Sequence, residues 1–139
     1  MAGTSVLDHR SALIYVMVLM SAVDNEMMDV ELRAMGETVR TLPIFKGYDL
    51  GQISEDAKTC ASLLSEDDGL EAALGLVADA LPEKLRETAY VLACDIAAAD
   101  DSVAPEESEL LEMIRRKLTI TRLAAAAIER AARARYAQM

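Results

Sequence analysis

Carboxylates are concentrated in two short segments of the chain, and both segments share one layout. In the first, Asp24 is followed seven residues later by Glu31; in the second, Asp100 is followed seven residues later by Glu107. The second segment lies 76 residues after the first, and each follows an apolar run and precedes an amphipathic one. The spacing therefore indicates a repeated unit of helix, acidic turn and helix. We call residues 24–31 the first acidic turn and residues 100–107 the second.

Crowded carboxylates repel one another unless a cation or ordered water relieves them, so the two turns suggest a cation site. The candidate ligands are Asp24, Glu31, Asp95, Asp100, Asp101 and Glu107. Oxygen ligands suit calcium or magnesium best, and zinc lacks its usual histidine and cysteine partners here. Neither turn has the alternating donors and central glycine of an EF-hand loop. Two to four carboxylates, from one turn or from both turns meeting at a pseudo-twofold axis, would hold the ion.

Asp95 stands apart from the other candidates because it lies inside an apolar segment, about one helical turn before Asp100. Its repeat equivalent is Leu19, so the symmetry of the repeat does not require a carboxylate there. Two interpretations stay open. Asp95 adds a ligand to the second turn, or it lies at the solvent edge or pairs with an arginine.

The same carboxylates also have a purely structural interpretation. Glu31 and Glu107 fall near the third residue of the helix that follows, where a glutamate favours the helix dipole and reaches back to the cap N–H. Asp24 and Asp100 can accept backbone N–H bonds across the turn. Because acidic side chains are unfavourable at helix C-termini, capping explains Asp24, Asp100 and Asp101 least well.

The sequence contains no recognisable set of catalytic residues. His9 is the only histidine, and no Ser-His-Asp or Cys-His set can be built around it. No phosphate-binding glycine loop is present. Cys60 and Cys94 lie in apolar helical contexts without a CxxC neighbour, and we expect both to be buried reduced thiols. We therefore expect a protein that is not an enzyme.

Composition indicates one all-α domain. Apolar residues make up 53% of the 139 residues, yet there is one phenylalanine and no tryptophan, so aliphatic side chains must fill the core. The net charge of −10 disfavours nucleic acid and anionic membranes as partners. The apolar run at residues 12–23 is too short to span a bilayer, and no signal peptide precedes it. We expect a soluble cytoplasmic protein that meets a membrane only indirectly, through a partner.

Apolar residues at three- and four-residue spacing predict seven helices in a compact bundle. Their predicted ranges are 8–23, 29–42, 49–64, 69–80, 82–99, 105–118 and from 119 or 121 onwards. The first helix is apolar on all sides and is expected to be central. Helices one and two should be equivalent to helices five and six, with three, four and seven packed around them. Phe45 is expected to plug the connector after the second helix, and Leu50 to face inward on the third.

The C-terminal helix differs in charge from the rest of the chain, since residues 120–139 carry four arginines and one glutamate. The arginines either complement the helix dipole and the acidic body, or form a docking helix for an acidic protein partner. Thr119 or Thr121 should cap this helix. The residues expected to face inward are Leu123, Ala127, Ile128 and Ala131. The sequence leaves the oligomeric state open.

Several strings, taken in order, carry a resemblance to a known family. They are residues 12–24 (ALIYVMVLMSAVD), 42–45 (LPIF), 86–90 (RETAY), 97–100 (AAAD) and 127–130 (AIER). In this order they resemble the TerB group of tellurite-resistance proteins and the wider TerB-like domain family, over nearly the whole chain. The resemblance implies an all-helical fold of about seven helices. It also implies a bacterial cytoplasmic protein, linked to tellurite and general stress resistance, that binds or senses and does not catalyse.

The resemblance further implies a metal site at Asp24, Glu31, Asp100 and Glu107. The family's turns usually read Asp-Gly, whereas this chain has Asp-Asn in the first turn and Asp-Asp in the second. We therefore expect a TerB-like protein that binds a divalent cation (calcium, magnesium or zinc) through its acidic turns. The alternative is a protein–protein interaction module in which the acidic turns are only structural.

Overall fold

The computed structural model consists of helices joined by short turns. It describes residues 7–22, 29–99 and 105–139, and for residues 29–32 it describes the backbone but not the side chains. Over these ranges the α-helices are α1 (His9–Ala22), α2 (Asp29–Thr41), α3 (Gln52–Leu64), α4 (Gly69–Ala80), α5 (Glu83–Ala99), α6 (Pro105–Lys117) and α7 (Arg122–Arg135). A single 3-10 turn, Pro43–Phe45, follows α2. The described ranges contain seven α-helices and no strand, which confirms the all-α prediction.

Helix α1 lies at the centre of the bundle, as its unbroken apolar sequence predicts. Every residue from 11 to 20 is buried, and α1 packs against α2, α3, α4 and α5. Each fully buried Leu, Ile, Val or Met contributes about 1.5–3 kcal/mol, so this one helix supplies a large part of the core. Phe45 is also buried, as predicted, and its ring packs edge-on against Tyr48 with 5.6 Å between centroids.

The sequence repeat is visible in the helices and extends beyond the two helices predicted. Helices α2 and α6 begin 76 residues apart, at Asp29 and Pro105, and both contain 13 residues. Helix α3 packs on α1 as α7 packs on α5. The molecule therefore consists of an N-terminal unit (α1–α3) and a C-terminal unit (α5–α7), which meet where α1 packs on α5. Helix α4 joins them through contacts with α1, α3 and α6.

One arginine fastens the C-terminal ends of α4 and α6 together. Arg86 on α5 donates to the backbone oxygens of Ala78 and Leu81 at 3.2 and 3.3 Å. It also donates to the backbone oxygen of Leu118 at 3.3 Å and to Thr119 Oγ1 at 3.2 Å. Carbonyls at helix C-termini have no partner within the helix, so Arg86 satisfies groups that burial would otherwise penalise.

Two predictions about inward faces are wrong. Helix α3 begins at Gln52 because Asp49 forms a turn that accepts a bond from the N–H of Gly51 at 2.9 Å, so Leu50 lies in the turn and is 39% exposed. On α7 the buried residues are Ala125 and Ala132; of the predicted residues only Ile128 packs against the core, whereas Leu123 is 83% exposed and Ala127 and Ala131 are exposed too. An alanine-rich helix has little apolar contrast between its faces, so the spacing predicts its inward face only in part.

The start of α7 agrees with one of the two predicted caps. Thr121 caps α7 by accepting a bond from the N–H of Ala124 at 3.1 Å, whereas Thr119 takes a left-handed conformation with φ of 54°. No helix within the described ranges is both long and apolar enough to cross a membrane.

Candidate functional site

The six predicted ligands fall into three groups. Asp24, Asp100 and Asp101 lie outside the described residues, and only the backbone of Glu31 is described. Among the side chains that the structure does describe, no cluster of three or more His, Cys, Asp or Glu could hold a metal ion. The cation site therefore stays a prediction for the acidic turns themselves, and the described residues around them define where it would lie.

Glu107 occupies the position that the sequence predicts for it. It is the third residue of α6, it is only 2% exposed, and it has an interaction partner. Glu31 is likewise the third residue of α2. A glutamate at this position stabilises the positive end of the helix dipole. Glu107 therefore contributes to the start of α6 whether or not a cation binds beside it.

Asp95 forms an ion pair across the C-terminal unit. Its carboxylate accepts a bond from the guanidinium of Arg135, which brings α5 and α7 together. Partial burial raises the pKa of Asp95, and the nearby Arg135 opposes that rise. Of the two interpretations that the sequence left open, pairing with an arginine is the one that the structure contains.

One cavity of about 270 Å³ is lined by residues at or next to the two acidic turns. Ala22, two residues before the first turn, lines this cavity together with Glu106, which belongs to the second turn. Its other lining residues are Leu19, Leu64, Leu70, Glu109, Leu110 and Met113. The chain therefore enters the first turn and leaves the second at the same end of the bundle. We call this space the turn cavity.

A buried carboxylate that the sequence analysis missed lies on α3. Asp56 is 7% exposed and accepts bonds from Ser11 Oγ at 2.8 Å, Tyr48 Oη at 2.6 Å and Gln52 Nε2 at 3.4 Å. Burial and the bond to Asp56 raise the pKa of Tyr48, so this phenol stays protonated as a donor. The cluster ties α1, α3 and the connector together. The position of Asp56, three residues after the inward Ile53, was the available signal.

The C-terminal unit contains a second tyrosine–carboxylate contact, between α5 and α7. Tyr90 Oη donates to Glu129 Oε2 at 2.5 Å, and burial followed by this bond raises the pKa of Tyr90. Cys94 lies beside the pair, and burial raises the pKa of its thiol to about 12. A thiol with that pKa carries almost no thiolate near neutral pH, so Cys94 is not placed for nucleophilic chemistry. These three residues line a second cavity of about 290 Å³ between α5, α6 and α7, which we call the α5–α7 cavity.

Glu112, which lines the α5–α7 cavity, belongs to an arginine–glutamate cluster on α6. Glu112 accepts bonds from Arg115 at 2.6 and 3.0 Å and from Arg116 at 3.0 Å. The bond to Arg115 holds the pKa of Glu112 down at about 2. Its charge is therefore already balanced by cations of its own helix.

Comparison with known proteins identifies one family. The model of the family described as "Tellurite resistance protein TerB" matches residues 10–131 of the chain, which contain all six predicted ligands and every residue that lines the turn cavity. Two residues that line the α5–α7 cavity, Ala132 and Arg133, lie beyond the matched range. No curated protein and no solved structure shows significant similarity to the chain.

Proposed function

This chain belongs to the tellurite resistance protein TerB family, and on that premise we propose that it is a non-enzymatic tellurite- and stress-resistance protein that binds a divalent cation through its two acidic turns. The observation that carries the proposal is the turn cavity, since residues flanking both turns line the same space. The two turns would supply one shared site at one end of the bundle.

Electrostatics supports a shared site over two independent ones. Each turn contains four carboxylates, and in a shared site Asp24, Glu31, Asp100 and Asp101 would lie near Glu106 and Glu109 of the cavity rim. That much negative charge at one end of a small domain destabilises it unless it is neutralised. A divalent cation neutralises it with the hard oxygen ligands that calcium and magnesium prefer.

The described carboxylates help to define the ligand set. Asp95 is engaged by Arg135, and Glu107 is buried with a partner of its own. The aspartates Asp24, Asp100 and Asp101 are therefore the ligands that we place first, with Glu31 next. Zinc remains in the test as a control for ligand type, because an all-carboxylate site disfavours it relative to a site with histidine or cysteine.

The test compares an acidic-turn variant with a matched control from another acidic turn. In Asp24→Asn with Asp100→Asn, two carboxylates become isosteric amides at the proposed site. In Glu66→Gln with Asp67→Asn, the same change is made in the exposed turn between α3 and α4. Thermal unfolding and calorimetric titration are recorded for each protein with calcium, magnesium and zinc.

We expect calcium or magnesium to stabilise the wild type, by about 2.7 kcal/mol when the free ion is at 100 times the dissociation constant. The site variant should lose this gain, and the control variant should keep it. An unchanged melting curve with every ion would refute the proposal, as would equal loss in the control variant.

The second candidate is a protein–protein interaction module in which the acidic turns only shape the hairpins. The observation that favours it is the outer face of α7, where Leu123 is 83% exposed beside the exposed Arg122 and Arg130. Under this alternative, divalent ions leave stability unchanged. Leu123→Ser with Arg130→Gln should then abolish co-purification of a partner that wild type retains, and the Asp24→Asn, Asp100→Asn variant should not.

A further inference from the structure

The α5–α7 cavity has a polar rim over an apolar floor and shares no lining residue with the turn cavity, although Ala98 and Ser108, which flank the second acidic turn, line it. Its floor is formed by Cys94, Ala97, Ala98, Leu111 and Ala132. Its volume of about 290 Å³ is at the small end of the range for ligand pockets in proteins. An apolar floor of this size suits a short aliphatic group of a ligand. The polar residues of the rim determine which polar groups of that ligand can bind.

The first rim group is a carboxylate held in place from one side. Glu129 receives a hydrogen bond from Tyr90 Oη on Oε2, and Tyr90 is itself 1% exposed and therefore fixed in position. Within the described part of the chain, Glu129 Oε1 accepts no hydrogen bond. One oriented oxygen is thus left for a donor that enters the cavity.

The second rim group is a guanidinium one helical turn further along α7. Arg133 is four residues after Glu129, a spacing at which glutamate and arginine normally pair on a helix surface. Yet among the described residues Arg133 has no ion pair or hydrogen bond. Both charges act on the same floor residue, since Glu129 raises the pKa of Cys94 and Arg133 lowers it. Opposite charges that form no ion pair with each other therefore border one apolar space, and Glu129 also lies within electrostatic range of Arg115.

This arrangement selects the class of ligand. A simple anion would be repelled by Glu129, and a simple amine would be repelled by Arg133. A divalent cation would find a single available carboxylate, because Glu112 is occupied by Arg115 and Arg116. A molecule that carries both charges and a short apolar group satisfies every element of the cavity.

We propose that the α5–α7 cavity binds a free α-amino acid with a short aliphatic side chain. The ammonium group donates to Glu129 Oε1, the carboxylate accepts from Arg133, and the side chain lies over Ala97, Ala98 and Leu111. The residues that would hold this ligand differ from the proposed cation ligands, so the two proposals are tested by different variants and either can fail without the other.

The experiment uses L-leucine and two analogues that each lack one charge. Isoamylamine is leucine without its carboxylate, and 4-methylpentanoate is leucine without its ammonium group. Amide NMR spectra of the full-length chain are recorded through a titration with each compound. We expect leucine to shift the signals of Cys94, Ala98 and Leu111 saturably, and each analogue to bind at least about tenfold more weakly, because a charged hydrogen bond is lost.

Variants separate the rim charges from the surrounding helix. Arg133→Gln and Glu129→Gln should each weaken leucine binding at least about tenfold, since each removes one charged partner. Arg130→Gln, an exposed arginine on the same helix, should leave it unchanged. Because a glutamine at 129 can still accept from Tyr90, the fold is expected to persist, and Arg133→Gln tests the idea separately if it does not. No leucine-dependent shifts, analogue binding equal to that of leucine, or equal loss in Arg130→Gln would each overturn the proposal.

Discussion

The N-terminal and C-terminal units share a plan of three helices but differ in what they do with a buried carboxylate. In the N-terminal unit Asp56 receives three donors from the connector and two helices, and the carboxylate is enclosed. In the C-terminal unit Glu129 receives one donor, Tyr90, and borders a cavity. The repeat thus carries one closed polar cluster, suited to holding helices together, and one open cluster, suited to holding a ligand.

The two clusters do not occupy equivalent positions of the repeat. With the 76-residue offset, the repeat equivalent of Asp56 is Ala132, and that of Glu129 is Ile53. Shared helix packing therefore does not dictate shared polar chemistry. Each unit joins its first and third helices with a carboxylate, but the two carboxylates occupy non-equivalent positions of the repeat.

The largest effect should come from removing the enclosed carboxylate. In Asp56→Ala, the donors Ser11 and Tyr48 lose their acceptor inside the protein, and we expect a loss of about 3 kcal/mol in the free energy of unfolding. Urea denaturation measures it. The exposed Asp67→Ala should change stability by less than about 0.5 kcal/mol. If Asp56→Ala lowers the free energy of unfolding by less than 1 kcal/mol, the cluster does not stabilise the packing of α1 on α3 as its geometry indicates.

A matched pair of tyrosine variants compares the clusters directly. Tyr48→Phe and Tyr90→Phe each remove one hydroxyl that donates to a carboxylate, at 2.6 and 2.5 Å. We expect about 2 kcal/mol for Tyr48→Phe and about 1 kcal/mol for Tyr90→Phe, because water in the α5–α7 cavity can replace the donor lost from Glu129. Both values come from urea denaturation. The reverse order would show that the C-terminal cluster is the closed one.

How much of this could be predicted from sequence differs between the helices and the side chains. The positions of most helices follow from the apolar spacing and from Pro43 and Pro105, which mark an end and a start. The inward face of α7 was predicted correctly only at Ile128, since alanine is equally tolerated inside and outside. Leu123 is the clearest case, because hydrophobicity alone places it inward.

The polar clusters were harder to predict, for a physical reason. Asp56 shares an inward face with Ile53 and Cys60, and that register was the visible signal. Its partner Ser11, however, is 45 residues away, and only the packing of α1 on α3 brings them together. For the acidic turns, the sequence supplied the repeat and the helix starts, and the structure added the single cavity that Ala22 and Glu106 share.

The smallest expected effect, and the one most specific to the open cluster, is a difference in the reaction rates of the two thiols. Cys60 is 0% exposed in the N-terminal unit, whereas Cys94 is 3% exposed and lines the α5–α7 cavity. Burial raises the pKa of both thiols to about 12, so both should react slowly with methyl methanethiosulfonate, with rates that rise about tenfold per pH unit between pH 7 and 10. Since a small reagent can enter the cavity but reaches Cys60 only through local opening, we expect Cys94 to react at least about tenfold faster.

Peptide mapping by mass spectrometry gives both rates from one sample, and the unfolded chain in urea should show equal rates. Saturating L-leucine should slow Cys94 and leave Cys60 unchanged, because only Cys94 lies under the proposed ligand. Equal native rates would mean that the cavity is closed to small molecules in solution. The two units would then differ in their hydrogen bonds but not in their accessibility to small molecules. The proposed ligand would have no route into the α5–α7 cavity, and the proposal would fail.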